Sequence, residues 1–197
     1  MILFKDQKVA FLFPPKTGST TALEYLLHCK DAVSIGHKHT AVKQALRTEP
    51  NLRDYTVYAF LRNPAEWLIS GLLMFREHYY INNFVKALER DDVFDSKDFA
   101  EVYYIRHKNL HPLNTLAPQI KYFNGDLNVI ALDFDNYESE LRRATQGLGL
   151  DDVAIGWENK GVHDSKKAMA KKVISLVKSE FADDCALWQE RFGKVLC

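Results

Sequence analysis

The sequence predicts an α/β domain with a central parallel sheet of four or five strands and a helical insertion. Short apolar segments alternate with longer segments of helical periodicity, and 47% of the 197 residues are hydrophobic, enough for a substantial core. Strands separated by helices pair in parallel, because the helix returns the chain to the same end of the sheet. We therefore expect a single domain over residues 1–197.

The predicted elements follow one another along the whole chain. The strands cover residues 8–13, 32–35, 56–61 and 128–132. The helices cover residues 19–29, 41–48, 64–78, 82–89, 96–106, 137–148 and 166–192, the last with a break near Asp183. Pro64 suits the first turn of its helix, because proline lacks the N–H that would be unpaired there. The segment 76–122, rich in aromatic and charged residues, is the predicted helical insertion, which would shape an acceptor cleft at the carboxyl ends of the strands.

Composition excludes several classes of partner. Lys and Arg number 26, as do Asp and Glu, so a net charge of zero gives no general attraction to nucleic acid or anionic lipid. The three cysteines, Cys29, Cys185 and Cys197, lack C-x-x-C spacing, which argues against a disulfide framework or a zinc site. No apolar run reaches the roughly 18 residues of a membrane span, and no signal peptide is evident. We expect a cytoplasmic protein with reduced thiols, and the sequence gives no sign of its oligomeric state.

The strongest chemical signal lies between Val9 and Thr21. An apolar, strand-like run ends at two prolines and continues through Lys-Thr-Gly-Ser-Thr-Thr into a helix. N–H groups at a helix N-terminus are unpaired and carry about half a positive charge, so a phosphate binds there. The alternative is an ordinary turn and N-cap, for which these residue types are also typical. The candidate phosphate ligands are Pro15, Lys16, Thr17, Gly18, Ser19, Thr20 and Thr21.

The order of residues in this loop separates two kinds of phosphate-binding enzyme. The P-loop of nucleotide triphosphatases has the pattern G-x-x-x-x-G-K-[ST], in which lysine follows the last glycine. In this chain Lys16 precedes Gly18, and no glycine stands five positions before Gly18. The order P-K-T-G-S-T resembles instead the 5′-phosphosulfate loop of sulfotransferases, which use 3′-phosphoadenosine 5′-phosphosulfate (PAPS).

A second cluster follows the strand predicted at 56–61. Arg62 leaves that strand where ligands bind in open sheets, and Ser70 lies about two helical turns into the next helix. A guanidinium and a hydroxyl form a good phosphate clamp, although a strand-end ion pair and a packed serine are the plainer alternative. R-N-P with a serine eight positions after its arginine resembles the 3′-phosphate motif of the same sulfotransferases.

Two histidines lie in the segment Gly36-His37-Lys38-His39-Thr40, between the two phosphate motifs. Their spacing does not match familiar metal-ligand patterns, and a histidine bonded to backbone groups is the plainer alternative. A neutral imidazole can also accept the proton of an attacking hydroxyl near pH 7. The segment resembles the one that carries the catalytic base in heparan sulfate uronyl sulfotransferases. His39 is therefore the first candidate for the base. His37 is the second candidate for the base and is also a candidate substrate contact.

Later segments agree with the same family in chain order. Leu-Asn-Thr-Leu-Ala-Pro-Gln, ending at Gln119, resembles a P-Q turn of the carbohydrate-type enzymes, which implies that Gln119 contacts substrate. Asp133 stands at a strand end where the family commonly has glutamate. The segment around Lys160 and Gly161 resembles an N-K-S segment near the 3′-phosphate, and an exposed loop is the equal alternative.

The resemblance to carbohydrate-type sulfotransferases spans about residues 9–192 and implies a P-loop-like three-layer α/β/α fold. It implies in-line transfer of a sulfuryl group from PAPS to a hydroxyl of a carbohydrate or other small acceptor, without a metal. Lys16 would stabilise the leaving group, and the chain would be a bacterial or viral cytoplasmic protein or an excised catalytic domain. Two alternatives remain: a P-loop nucleotide kinase or triphosphatase, and a non-catalytic module that binds nucleotides or glycans on the same fold.

Overall fold

A computed structural model of the chain describes residues 1–75, 79–90, 118–156 and 163–196. The chain divides into two compact units. The first unit comprises Met1–Arg62 and Gln119–Lys160, and the second comprises Asn63–Pro118 and Gly161–Cys197. Each unit has its own cluster of buried hydrophobic residues. The single domain over residues 1–197 stays a prediction, as does the acceptor cleft at 76–122, most of which lies outside the described residues.

The first unit contains an open five-stranded sheet. Its strands are β1 (Ile2–Phe4), β2 (Val9–Leu12), β3 (Ala32–Ser34), β4 (Thr56–Leu61) and β5 (Val129–Asp133). They lie in the order β3-β1-β2-β4-β5. The three strands β2, β4 and β5 are parallel, as the alternation of strands and helices predicted, and they form one half of the sheet.

The other half of the sheet corrects the expectation of a parallel sheet throughout. β1 pairs antiparallel with both β2 and β3, so the sheet is mixed. β1 has only three residues, too few to show a period, and sequence analysis missed it. Only residues 5–8 separate β1 from β2, and a connection this short permits a hairpin but no parallel crossover. The fold is thus α/β with a mixed, open sheet, while a P-loop-like three-layer arrangement stays a prediction.

The described helices begin close to their predicted starts and mostly end earlier. They are α1 (Ser19–Leu26), α2 (Val42–Thr48), α3 (Pro64–Met74), α4 (Tyr79–Glu89), α5 (Tyr137–Ala144), α6 (His163–Lys172), α7 (Ile174–Glu180) and α8 (Ala182–Phe192). Short 3₁₀ turns cover Pro50–Asp54, Gln119–Tyr122 and Phe134–Asn136. The helix predicted at 96–106 lies outside the described residues.

The core of the first unit lies between the sheet and its helices. Phe4, Phe11 and Phe13 belong to a cluster with Tyr25 of α1 and Leu141 of α5. Burial of these side chains drives the packing of α1 and α5 on the sheet, since each fully buried large apolar side chain contributes about 1.5–3 kcal/mol. The helices that follow β2 and β5 are thereby fixed relative to the ends of those strands.

The second unit is helical in its described part. Asn63 caps α3, because its side-chain oxygen accepts hydrogen bonds from the N–H groups of Ala65 and Glu66, at 3.0 and 3.3 Å. Pro64 occupies the first helical position, as expected. The long helix predicted at 166–192 is wrong as one element with a single break. Val173 and Phe181 leave helical geometry and divide it into α6, α7 and α8.

Candidate anion-binding site

The site lies at one edge of the sheet in the first unit. Because β2, β4 and β5 are parallel and in register, their carboxyl ends meet at that edge. β2 leads into residues 13–18, which we call the phosphate loop. β4 leads into Arg62, and β5 into the 3₁₀ turn Phe134–Asn136. Ligands bind at this edge in open α/β sheets, so the topology places the phosphate loop and Arg62 where a ligand can bind.

The backbone of the phosphate loop adopts an uncommon conformation. Lys16 has φ of 63° and Gly18 has φ of 70°, with Thr17 between them. A left-handed conformation is uncommon for a non-glycine residue such as Lys16. When residues of positive φ alternate with a residue of negative φ, successive N–H groups gather on one side of the chain. This concave arrangement of N–H groups binds anions. Gly18 is the N-cap of α1, and its side-chain-free position leaves the first N–H groups of the helix without a side-chain cap.

Side chains outside the loop bind two of its carbonyl oxygens. The Nδ1 atom of His39 lies 2.8 Å from the Phe13 oxygen. The Nη1 atom of Arg62 donates to the Lys16 oxygen at 3.3 Å. A carbonyl that is hydrogen-bonded in this way is oriented away from any anion held by the N–H groups.

Two more carbonyl oxygens of the loop accept side-chain hydrogen bonds, one from Thr17 within the loop and one from Tyr137 outside it. The Thr17 hydroxyl donates to the Pro14 oxygen at 2.7 Å, and Thr17 is only 1% exposed. The Tyr137 hydroxyl donates to the Gly18 oxygen at 2.7 Å. In a trans peptide group the C=O and the following N–H point in opposite directions. Holding the Lys16 and Gly18 carbonyls therefore turns the N–H groups of Thr17 and Ser19 the other way.

The two candidate histidines have different hydrogen bonding. A carbonyl oxygen can only accept, so the bond to Phe13 places the proton of neutral His39 on Nδ1 and leaves Nε2 with a lone pair. Exposed His37 accepts a hydrogen bond from the His39 N–H through its own Nδ1, at 3.2 Å, which places its ring proton on Nε2. Only His39 thus has Nε2 prepared to accept a proton.

The surroundings of His39 favour its neutral form. Burial lowers the pKa of His39, and the nearby charges of Lys38 and His37 lower it further, while the hydrogen bond to Phe13 acts in the opposite direction. The Tyr122 hydroxyl donates to the His39 carbonyl at 3.1 Å, and burial raises the pKa of Tyr122 to about 12, so this donor stays protonated. His39 is half-buried, held at its backbone and at Nδ1.

Sequence analysis did not assign a role to Lys38. Its Nζ donates to the Thr20 hydroxyl in the first turn of α1, at 2.8 Å. Burial lowers the pKa of Lys38, and the charge of Glu24 partly compensates. The N-terminus of a helix is its positive end, so the helix dipole does not stabilise a lysine there. A bound anion would stabilise the lysine and the helix end together. In the sequence, only the position of Lys38 between the two histidines indicated that it lies near the site.

Arg62 and Gln119 form a reciprocal pair. The Arg62 N–H donates to the Gln119 Oε1, and the Gln119 Nε2 donates to the Arg62 oxygen, both at 2.9 Å. Gln119 is fully buried, and Arg62 is 5% exposed with its guanidinium 4.5 Å from the centre of the Phe134 ring. Gln119 was predicted to contact substrate. The structure places both ends of its amide on the Arg62 backbone, and a substrate contact stays a prediction.

The remaining predicted residues are divided between the loop and other parts of the chain. Pro15 is buried within the loop, Ser19 and Thr21 are buried in the first turn of α1, and Thr20 is half-buried. Ser70 belongs to the second unit, where it lies on α3 and is 9% exposed. Lys160 and Gly161 lie outside the described residues. The pairing of Arg62 with Ser70 in one clamp stays a prediction.

Asp133 at the end of β5 and Tyr137 after it were not predicted to support the site. Asp133 accepts hydrogen bonds from the Asp135 N–H at 3.1 Å and the Asn136 amide at 2.9 Å, which fixes the 3₁₀ turn. That turn leads directly to Tyr137, the partner of Gly18. Because 119 positions separate Tyr137 from Gly18, no local pattern could have paired them.

The described residues show neither a metal-binding group nor a membrane-spanning helix. Among the described residues, no group of three or more His, Cys, Asp or Glu side chains is placed to hold a metal ion, and no described helix is long and apolar enough to cross a membrane. Comparison of the chain with protein-family models, curated proteins and solved structures found no match.

Proposed function

We propose that this chain is a sulfotransferase, which transfers a sulfuryl group from PAPS to a hydroxyl of a carbohydrate acceptor. The 5′-phosphosulfate group would bind at the phosphate loop and the start of α1. The proposal combines the order P-K-T-G-S-T, which resembles sulfotransferase loops, with the geometry of residues 13–20 in the first unit. Acceptor identity and cytoplasmic location remain predictions from sequence.

The observation that carries the proposal is the orientation of the loop carbonyls. Four of them, on Phe13, Pro14, Lys16 and Gly18, are each bound by a side-chain donor. The N–H groups that follow Lys16 and Gly18 consequently face away from these donors. Backbone N–H groups at a helix N-terminus then favour a phosphate or sulfate.

Two cationic side chains add to the positive potential of the N–H groups at the start of α1. The Arg62 guanidinium donates to the Lys16 carbonyl in the loop, and the Lys38 ammonium donates to the Thr20 hydroxyl in the first turn of α1. The chain as a whole carries no net charge, so this positive potential is local. Charged donors bind phosphate roughly twice as strongly as neutral ones, which favours a ligand with several negative charges.

The proposed reaction is a direct in-line transfer. The acceptor oxygen forms a bond to sulfur while the bond from sulfur to the 5′-phosphate oxygen breaks, and adenosine 3′,5′-bisphosphate leaves. His39 Nε2 accepts the proton of the acceptor hydroxyl. Lys16 and the N–H groups at the start of α1 would stabilise the charge that develops on the leaving oxygen. Arg62, Ser70, Lys160 and Gly161 keep their sequence-based assignment to the 3′-phosphate.

Titration calorimetry tests the donor site. Adenosine 3′,5′-bisphosphate should bind at micromolar concentration and ATP with Mg²⁺ much more weakly, whereas a kinase or triphosphatase would show the reverse. Arg62→Gln should strongly weaken binding of the bisphosphate. Arg53→Gln is the matched control, because Arg53 lies in the same unit and pairs with Asp126 on the surface at 3.0 Å. No binding of the bisphosphate by the wild type would overturn the proposal.

Transfer of labelled sulfate from PAPS then tests catalysis. We expect labelled product with at least one of a panel of monosaccharides, glycosaminoglycan oligosaccharides and phenols. Binding of the bisphosphate without transfer to any acceptor would favour the non-catalytic module instead.

A further inference from the structure

We infer that Tyr137 is a positioning residue of the phosphate loop, which holds the Gly18 carbonyl so that the Ser19 N–H faces the bound anion. The inference rests on the proposed function, because it concerns the same loop. Tyr137 begins α5, directly after the 3₁₀ turn that follows β5. Neither sequence pattern nor family resemblance assigned a role to this residue.

The contact between Tyr137 and Gly18 is close and depends on glycine. A Cβ atom added to Gly18 would lie 2.5 Å from Cε2 and 2.9 Å from Cζ of Tyr137, well inside van der Waals contact. The left-handed φ of Gly18 also disfavours a side chain. The glycine therefore meets two requirements, the turn into α1 and the approach of the tyrosine ring.

Aromatic packing fixes the position of the Tyr137 ring. It stacks on Phe60 of β4 with ring centroids 4.3 Å apart, and Phe134 meets it edge-on at 5.6 Å. Tyr137 is 2% exposed, and burial raises the pKa of its hydroxyl, so the hydroxyl remains a donor. Phe134 also lies under the Arg62 guanidinium. The ends of β4 and β5 thus hold the donor that binds the loop.

The hydroxyl acts on the Ser19 N–H through one peptide group. The Gly18 oxygen accepts from Tyr137 at 2.7 Å and from the Ala22 N–H at 3.0 Å. Loss of the hydroxyl leaves the helical bond, so the peptide group becomes less restrained while α1 remains. We expect a partial loss of anion affinity, since one net hydrogen bond corresponds to a change of about threefold to tenfold.

The test compares Tyr137→Phe with Tyr25→Phe. Tyr25 is a matched control, because its buried hydroxyl donates to the Leu150 carbonyl at 3.0 Å and both tyrosines belong to the same hydrophobic cluster. Both variants should lose similar stability in thermal unfolding. Tyr137→Phe should raise the Kd for adenosine 3′,5′-bisphosphate by about threefold to tenfold, and Tyr25→Phe by less than about twofold. Equal Kd values for the two variants would overturn the inference.

A second measurement separates this inference from the proposed function. If the wild type binds no bisphosphate, the proposed function fails, and the Ser19 amide resonance in the free protein decides the role of Tyr137. Tyr137→Phe should shift that resonance, whereas Tyr25→Phe should leave it unchanged. An unmoved Ser19 amide in Tyr137→Phe would overturn the inference.

A third variant, Gly18→Ala, tests the inference if Tyr137→Phe does not fold. Gly18→Ala keeps the hydroxyl but forces the Tyr137 ring to move. It should displace the Ser19 amide resonance and weaken any bisphosphate binding. An unchanged Ser19 amide in this variant would count against the inference.

Discussion

The Nη1 atom of Arg62 donates a hydrogen bond to the Lys16 carbonyl oxygen at 3.3 Å, so the residue that ends β4 is bound to the loop that follows β2. Arg62, the first residue of the second predicted motif, therefore contacts the backbone of the first motif. The bond orients the Lys16 carbonyl and holds the Arg62 charge beside the loop. A substitution of Arg62 should consequently affect both the charge and the shape of the site.

Arg62→Lys should separate these two effects. Lysine keeps the charge but has no planar fork, so it cannot reproduce the bond to Lys16 together with the contact over the Phe134 ring. We expect Arg62→Lys to weaken bisphosphate binding by about tenfold or more, on the scale of a charged hydrogen bond of about 1.5–3 kcal/mol. Calorimetric titration measures the change. Affinity equal to the wild type would show that charge alone accounts for the role of Arg62.

His39→Ala should reduce turnover without preventing donor binding. Loss of a general base typically reduces the rate by about 10²- to 10⁴-fold, whereas the bisphosphate does not require the base. His37→Ala is the matched control, since exposed His37 has its ring proton on Nε2 and should change turnover much less. Labelled-sulfate transfer and calorimetry give the two readouts. A larger loss in His37→Ala would assign the base to His37.

The pH dependence of stability should report the burial of His39. Because the pKa of His39 is lowered in the folded state, the unfolded chain binds more protons below the ordinary value of 6.5. The contribution of His39 is therefore fully present above pH 6.5 and decreases as the pH falls toward the folded pKa. Denaturant unfolding between pH 5 and 7.5 should show a smaller slope in His39→Gln than in wild type. His28→Gln, which removes an exposed imidazole, is the matched control, and a wild-type slope in His39→Gln would contradict the prediction.

Lys38 and Thr20 should be energetically coupled. A double-mutant cycle with Lys38→Met and Thr20→Val isolates the hydrogen bond between them, 2.8 Å long and partly exposed. We expect a coupling free energy of about 0.5–1 kcal/mol in denaturant unfolding, less than for a buried charged bond because solvent screens it. The pair Lys43→Met and Thr20→Val is the control, since Lys43 is exposed on α2. A coupling free energy within about 0.3 kcal/mol of zero would show that the hydrogen bond does not stabilise the site.

Gln119→Leu should act mainly on stability. The change leaves the backbone N–H and oxygen of Arg62 without the amide that pairs with them, at a cost of about 2–4 kcal/mol for two buried groups. Gln44→Leu, at an exposed position on α2, should change the free energy of unfolding by less than about 0.5 kcal/mol. Normal stability combined with a raised KM for the acceptor would support the substrate contact predicted from sequence.

Local patterns determined the elements that have a local physical cause. The strand from Thr56 to Leu61 was predicted with its observed bounds, because six apolar or β-branched residues lie between turn signals. The entry into α1 at Ser19 and the position of Pro64 were also predicted, since prolines and hydroxyl residues act on their nearest neighbours. The resemblance to sulfotransferase loops depends on these same short segments.

Tertiary structure alone decided what those segments contact. The pairings of His39 with Phe13, Gln119 with Arg62 and Tyr137 with Gly18 span 26, 57 and 119 positions. Tyr137 meets Gly18 because parallel register brings the carboxyl ends of β2 and β5 to one edge of the sheet. His39 follows β3, which runs in the direction of β2 because both strands pair antiparallel with β1. Sequence by itself determined that a lysine-containing turn joins a strand to a helix. The fold decided which way its carbonyls point, because hydrogen bonds over such distances depend on strand order and register and leave no local period.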